Sequence, residues 1–407
     1  MKVLLVNKFY YPRGGDCLVA MGIEKILREH GHEVAFFAMQ YSQNIDSDWQ
    51  SYFPCQVSFS GGEISDKVGA VKRLLGKDGV VRKFEALLDD FSPDVVHLHN
   101  VHSYLSPIVA EIAKSRGVRV MWTLHDYKLI CPTYSFLREG KVCELCLTQP
   151  TAVLTKKCMK GSLPGSLIAY IEAQVWNRER LIRNTDVFIC PSRFMKDKMI
   201  EGGFPEAKLT VLHNFLPLFG LKDTFDGQQQ ERETAYCYVG RLSDEKGIGQ
   251  LLEVAACLPY QLFVAGTGPM ENELRKQYTN HKNIIFLGQQ SRTQVEVLLK
   301  KMAFSVIPSI WYENNPLSVI ESLCLGTPVL GAEIGGIPEL IEDGTNGLLF
   351  QAGNMDNLKE KISSFFHQIE KKGDFQSLEI ATRALDYFSE AAYYEKLIAV
   401  YLQAKTA

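Results

Sequence analysis

No long hydrophobic run occurs near the start of this 407-residue sequence: MKVLLVNKFYYP has only four consecutive apolar residues before Asn7 and Lys8. Four are too few for the core of a secretory signal or for a membrane span, so the chain is expected in the cytoplasm. There is no tract rich in Ser, Pro or Gln and no internal repeat, which argues against disordered and fibrous classes. An excess of positive charge is also missing. Lys and Arg number 44 against 47 Asp and Glu, a net charge of −3, and a nucleic-acid-binding chain would normally be basic overall. The imbalance is local: residues 1–215 have 27 basic against 23 acidic side chains, and the remainder 17 against 24. A mildly basic first half suits an anionic membrane surface better than a nucleic acid. The first glycine-rich loop, YYPRGGD, is not GxGxxG, which disfavours a nicotinamide site. Nor does an Asp-x-Asp pair stand at the end of an expected strand, where it would hold a divalent ion. The ten cysteines are scattered except for one group of four, as expected of reduced thiols.

What is present is an ordinary globular composition, 46% hydrophobic and 22% charged, in a chain long enough for two domains. KVLLVN (2–7), EVAFFAM (33–39), DVVHLHN (94–100), VRVMWTLHD (118–126) and DVFICPS (186–192) read as strands. Among them lie helices such as CLVAMGIEKILREHG (17–31) and PIVAEIAKSRG (107–117). Apolar strands separated by helices are the pattern of a parallel sheet covered on both faces. The pattern restarts with YCYVGRL (236–242), QLFVAGTG (261–268), NIIFLG (283–288), FSVIPS (304–309) and TPVLGA (327–332). The polar stretch 213–235 between the two series reads as a linker. The expectation is an α/β chain of two doubly wound, Rossmann-like parallel-sheet domains facing across a cleft, residues 1–212 and 213–386. Ligands should bind beyond the carboxyl ends of the strands.

The densest chemistry lies in SIWYENNPLSVIESLCLGTPV (309–329), where Glu313 and Glu321 flank Asn-Asn-Pro. Asn315 as cap and Pro316 as first helical residue predict a helix that stops at Gly326. Its free amides make an anion site suited to a diphosphate. Glu321 lies about 7–8 Å further along the axis, a distance that suits a ribose whose hydroxyls a carboxylate can accept. Upstream, Arg241 and Lys246 in VGRLSDEKG stand just past a strand, where two cations can neutralise a departing diphosphate. Gly266 and Gly268 in VAGTGPM can let a backbone approach a nucleotide, although glycines in such a loop are more often turn residues.

GRLSDEKG, VAGTGPM, the two glutamates of ENNPLSVIE and GGIPELIEDGTNGLLF (335–350) together resemble the retaining nucleotide-sugar glycosyltransferases of family 4, which have the GT-B fold. The resemblance covers nearly the whole chain. It implies that Arg241 and Lys246 hold the donor diphosphate and that Glu321 holds the ribose. Glu313, with Asn314, Asn315, Pro316 and Leu317 after it, would meet the sugar hydroxyls and phosphates. In the first half it implies a sugar contact for His125 in TLHD, and it sets the loop of Gly14 and Gly15 against the donor phosphates or the acceptor. Asp16, where many relatives differ, and His99 are candidates for the acceptor side. The last residues, 387–407, resemble the helix that returns to the first domain. The implied donor is a UDP- or GDP-linked sugar and the acceptor a glycan or polyprenyl-linked glycan, with retention at the anomeric carbon and no catalytic cofactor. An epimerase of the same fold and a non-catalytic sugar-nucleotide-binding protein are the alternatives.

Three further features stand apart from that resemblance. Cys131, Cys143, Cys146 and Cys158 include a CELC knuckle, and four thiolates would complete a structural zinc site; four reduced thiols are the alternative. His97, His99 and His102 read as strand and loop residues rather than metal ligands. Residues 66–88, with Lys67, Lys72, Arg73, Lys77, Arg82 and Lys83, read as a solvated amphipathic face or as a peripheral dock on anionic lipid.

Overall fold

The computed structural model describes residues 1–57, 64–217, 232–372 and 375–403, so most of the linker expected at 213–235 lies outside the described residues. The chain divides into two units. One comprises Met1–Phe136, Cys143–His213 and the residues from Tyr393 on; the other comprises Leu137–Val142 and Asn214–Ala392.

The first unit is built on β1 (Lys2–Val6), β2 (Glu33–Phe37), β3 (Val95–Leu98) and β4 (Arg119–Thr123). After a short hairpin, β5 (Leu137–Arg138) and β6 (Lys141–Val142), the sheet is completed by β7 (Val187–Cys190) and β8 (Leu209–Val211). The strand order is β2-β1-β3-β4-β7-β8 and every pairing is parallel. All four residues of both β3 and β7 are buried, which is why these strands read as unbroken apolar runs. Around the sheet run α1 (Gly15–Glu29), α2 (Ile64–Leu74), α3 (Gly79–Phe91) and α4 (Ile108–Ser115). They are followed by α5 (Leu145–Thr148), α6 (Ala152–Thr155), α7 (Leu163–Val175), α8 (Arg178–Arg183) and α9 (Arg193–Glu201). Helix α1 starts two residues earlier than its apolar pattern suggested and ends before Gly31, whose φ of 77° terminates it.

The second sheet comprises β9 (Glu233–Val239), β10 (Gln261–Ala265), β11 (Ile284–Gly288), β12 (Met302–Ile307), β13 (Val329–Ala332) and β14 (Gly347–Phe350). Its order is β11-β10-β9-β12-β13-β14, again wholly parallel. Its helices are α10 (Ile248–Ala256), α11 (Glu271–Gln277), α12 (Arg292–Lys301), α13 (Leu317–Cys324), α14 (Met355–Lys372) and α15 (Ser377–Phe388). The core joins β-strand residues such as Tyr236, Phe304 and Leu330 to Phe365, Phe366 and Ile362 of α14. A last helix, α16 (Glu390–Leu402), carries Tyr393, Leu397, Val400 and Tyr401 as its buried side chains.

The two doubly wound parallel sheets are those expected. Strands β8, of three residues, and β14, of four, were not foreseen. One reversal concerns the basic segment 66–88, which is two helices rather than one face. Arg73 in it is buried and donates to Asp78, to the Tyr104 carbonyl (2.8 Å) and to the Cys55 carbonyl (3.1 Å), so it is an internal tie and not a solvated charge.

Candidate active site

In the second sheet the strand order reverses between β9 and β12, and the loops leaving those strands emerge side by side at the carboxyl edge. These two loops are fastened together. Ile310 N–H donates to the Glu245 carbonyl (3.1 Å), and Lys246 Nζ donates to Glu313 Oε1 (2.7 Å). Gly247 has φ of 68°, and a Cβ there would lie 1.9 Å from the Pro308 carbonyl oxygen, so only glycine lets the loops close up. A third loop, Gly335–Gly336, supports the same spot: Gly336 N–H donates to the Glu313 carbonyl (2.7 Å), and a Cβ on Gly335 would fall 2.3 Å from that oxygen.

Glu313 is buried and receives Ser309 Oγ (2.6 Å) as well as Lys246 on the same oxygen. Burial works against its charge, but Lys246 and the two hydrogen bonds prevail and hold its carboxyl below the usual carboxylate range. It is an ionised acceptor, unsuited to act as a base at neutral pH. Arg241, by contrast, is exposed, and its guanidinium has no partner among the described residues. Of the two expected cations, Arg241 is free and Lys246 is already paired.

Helix α13 begins at Leu317 with Pro316 as its cap residue, one position later than expected, and no side chain caps it. The reason is that Asn315 is engaged elsewhere: its Oδ1 accepts from Asn214 N–H and its carbonyl from Asn214 Nδ2, both at 2.8 Å. The first amides of α13 are therefore left without a side-chain acceptor, as an anion site requires. Glu321, on the second turn, is half-buried. Its enclosure pushes its carboxyl up, against the pull of Arg292 at 3.7 Å. Arg292, which donates to the Pro217 carbonyl at the start of α12, was not anticipated, nor was Ser309. The only hints in the sequence are the Ser-Arg that opens α12 and the serine closing β12. Gly266 and Gly268 have a packing role: Cβ atoms there would lie 1.9 Å from the Gly240 carbonyl and 2.3 Å from that of Leu242.

The first sheet repeats the device. Its order reverses between β1 and β3, and Asn7 joins the two loops by donating to the Phe9 carbonyl (3.0 Å) and accepting from Asn100 N–H (3.2 Å). Asp16, in the first turn of α1, accepts from Asn100 Nδ2 (3.0 Å) and faces Lys8 Nζ at 3.8 Å. Burial opposes its charge, yet Lys8, His125 and those hydrogen bonds keep its carboxyl below the usual range. An anion thus already stands at the N-terminus that Gly14 and Gly15 open, and a second one would be repelled.

Three histidines form a row. His97 bridges Thr123 Oγ1 and the Tyr401 hydroxyl, both at 2.7 Å; His99 packs on it, and His99 Nδ1 lies 2.9 Å from His125 Nε2. Burial, then neighbouring imidazoles, pushes His97 down to about 3 and His99 well below its ordinary value. Burial also lowers His125, against the pull of Asp16 and Asp126. The row is neutral at pH 7. His99, expected near the acceptor, is fully buried behind the half-buried His125, and its Nε2 has no partner. Nearby, His102 stacks on Trp122 and stands 3.8 Å from Asp126, while Lys128 pairs with Glu172 (2.9 Å).

The four clustered cysteines all fall in the first unit. Cys131 is buried and hydrogen-bonded with Cys146, and Cys143 and Cys158 lie close enough to Cys146 for their charges to act on it. Among the described residues, no group of three or more His, Cys, Asp or Glu side chains is arranged to hold a metal ion.

Residues 19–218 match the family described as Glycosyltransferase Family 4, and residues 222–377 match Glycosyl transferases group 1. A Klebsiella pneumoniae relative described as an uncharacterized 42.6 kDa protein in cps region is 26% identical over 362 residues, 84% of this chain and 87% of its own. Among solved structures, a sucrose-phosphate synthase from Thermosynechococcus elongatus is similar with a TM-score of 0.70 and 18% identity, covering 99% of this chain and 98% of its own. Anabaena HepE in complex with UDP-glucose is similar with a TM-score of 0.64 and 17% identity, covering 98% of this chain and 99% of its own. These structural likenesses establish the fold, two Rossmann-like domains of the GT-B kind.

Proposed function

The chain belongs to the group 1 glycosyltransferases, and from that premise we propose that it moves a sugar from a nucleoside-diphosphate donor to a glycan or polyprenyl-linked acceptor, with retention at the anomeric carbon. The observation that carries the reading is the convergence at one edge of the second sheet: unpaired Arg241, paired Lys246 and the uncapped start of α13. A diphosphate fits there, its charge met by Arg241 and the helix amides. Glu321, whose enclosed carboxyl is held only loosely by Arg292 at 3.7 Å, would take the ribose hydroxyls.

In the reaction the bond from the anomeric carbon to the phosphate oxygen breaks and a bond to the acceptor oxygen forms on the same face. The acceptor's proton passes to the departing phosphate. The protein's task is to stabilise that leaving group, which preorganised cations and helix amides do without reorganising. Glu313 serves by orienting Lys246 and by accepting sugar hydroxyls. On the first unit, Asp16 and His125 suit hydroxyls better than phosphates, since an ionised carboxylate repels an anion and a neutral imidazole brings no charge to hold one. A UDP-sugar is the donor class to try first, because HepE is described with UDP-glucose. The cps-region relative favours a surface polysaccharide as the setting.

The test is incubation with a panel of UDP- and GDP-sugars, with and without glycan acceptors, followed by separation of products. Nucleoside diphosphate released only when an acceptor is present supports the transferase. Epimerised donor without acceptor would overturn it.

A further inference from the structure

Helix α7 is turned inside out. Its protein-facing side chains are small or polar: Ser166, Ala169 and Glu172 are buried, with Glu172 taken up by Lys128 (2.9 Å) and by Ser103 (2.6 Å). Its outward side chains are Leu163, Leu167, Ile168 and Ile171, exposed to between 37 and 54%. Positions 163, 167 and 171 recur every four residues, so these groups form a stripe along the helix. A surface helix in water has the opposite arrangement. Such a stripe on a surface marks something that covers it.

Charge identifies the covering surface. Between Leu145 and Arg178 the only carboxylate is the buried, paired Glu172, whereas Lys156, Lys157 and Lys160 are exposed in the turns that lead into α7. The neighbouring helix repeats the combination: the Trp176 indole at the end of α7 donates to the Leu74 carbonyl that closes α2 (2.7 Å), and α2 exposes Val68, Val71 and Lys72. On α7 and the turns before it, apolar side chains flanked by lysines, with no exposed acid between Leu145 and Arg178, complement the boundary between acyl chains and anionic headgroups. We propose that the face made by α7 and the lysines before it is a docking surface for an anionic phospholipid bilayer, held in the plane of the interface and not spanning it. Consistent with lying on the surface, no helix among the described residues is long and apolar enough to cross a membrane.

The inference stands apart from the donor site and is read by lipid binding, not by turnover. The full chain is floated with vesicles of phosphatidylcholine alone and with vesicles containing about one third phosphatidylglycerol. The wild type should float with the second and not the first. A Lys156→Gln/Lys157→Gln/Lys160→Gln variant should partition about 100-fold more weakly, at about fivefold per lysine. A Leu167→Gln/Ile171→Gln variant should lose at least tenfold, with an unchanged melting temperature in both cases. Equal flotation with neutral and anionic vesicles, or none with either, overturns the proposal. So does self-association in sedimentation that the Leu167→Gln/Ile171→Gln variant abolishes without any vesicle binding, which would assign the face to a second copy of the chain. If one variant fails to fold, the other and the comparison of vesicle compositions still decide.

Discussion

Lys246 and Glu313 meet at 2.7 Å across the two loops that leave β9 and β12, one partner from each side of the point where the second sheet changes direction. Sixty-seven positions separate them in the chain. The pair both closes the loops and sets the charge balance of the site: one cation is neutralised in advance, so on the proposed reading an incoming diphosphate would be met by Arg241 and by backbone amides.

Removing one member of the pair should cost more than removing both. Lys246→Ala leaves a buried carboxylate without its cation, a loss of about 3 kcal/mol, seen as a melting temperature lower by roughly 6 to 12 °C for a domain of this size. Adding Glu313→Gln should restore most of that loss, because the stranded charge is gone, while transferase activity stays absent in both variants. Calorimetry on the two single variants and the double variant measures the coupling; additive losses would show that the ion pair is not what holds the loops.

Arg241→Ala should leave the melting temperature unchanged, since the side chain is exposed and has no partner among the described residues. Its effect belongs to the ligand. Loss of a charge-assisted contact to phosphate is worth about 1.5–3 kcal/mol, or roughly 10- to 100-fold weaker binding of the nucleoside diphosphate. Titration calorimetry with UDP and GDP reads it directly.

Gly247→Ala tests whether the loops need their close approach. The residue has φ of 68°, and its added methyl would meet the Pro308 carbonyl. The left-handed backbone alone costs about 1 kcal/mol for alanine, and the clash adds to it. The variant should melt at lower temperature and bind nucleotide more weakly, whereas Gly353→Ala, also at positive φ but with open space around it, should lower stability by the backbone cost alone and leave nucleotide affinity intact.

The histidines predict how stability follows pH. His97 and His102 each have a folded pKa of about 3 against 6.5 unfolded, because burial disfavours the imidazolium. Between those values the unfolded chain binds more protons than the folded one, so stability is highest above pH 6.5 and falls as the pH drops toward 3. Each such histidine contributes up to about 1.4 kcal/mol per pH unit. Glu313 acts at the lower end with the same sign: its folded value is depressed, so its contribution is present above about 4.5 and lost as pH falls through the folded value. Urea unfolding from pH 5 to 7.5 should show the histidine slope, and His97→Gln should flatten it.

Much of this was open to inspection in the residues themselves. Buried parallel strands are apolar from end to end, so the runs at β1, β3, β9 and β12 stood out, as did Arg241, Lys246 and the two glutamates set between strand and helix. Other features depend on contacts distant in sequence. Asn315 was expected to cap α13 but is engaged by Asn214, about a hundred positions away, and nothing in ENNPLS reveals that competition. Arg73 looked like one of six similar surface charges, and only its three internal acceptors set it apart. The exposed stripe of α7 escaped for the opposite reason: LPGSLIAYIEAQV is apolar enough to pass for a core helix, and only its placement shows which side faces outward.

The ring of His97 is held between Thr123 and Tyr401, and the unit that contains the histidine is otherwise finished by His213. A ribosome must therefore make the whole second sheet before it can deliver the hydroxyl that completes the first. During synthesis the early lobe waits with an open seam beside β3, and a premature stop anywhere in the later half would leave both lobes defective, including the one already translated.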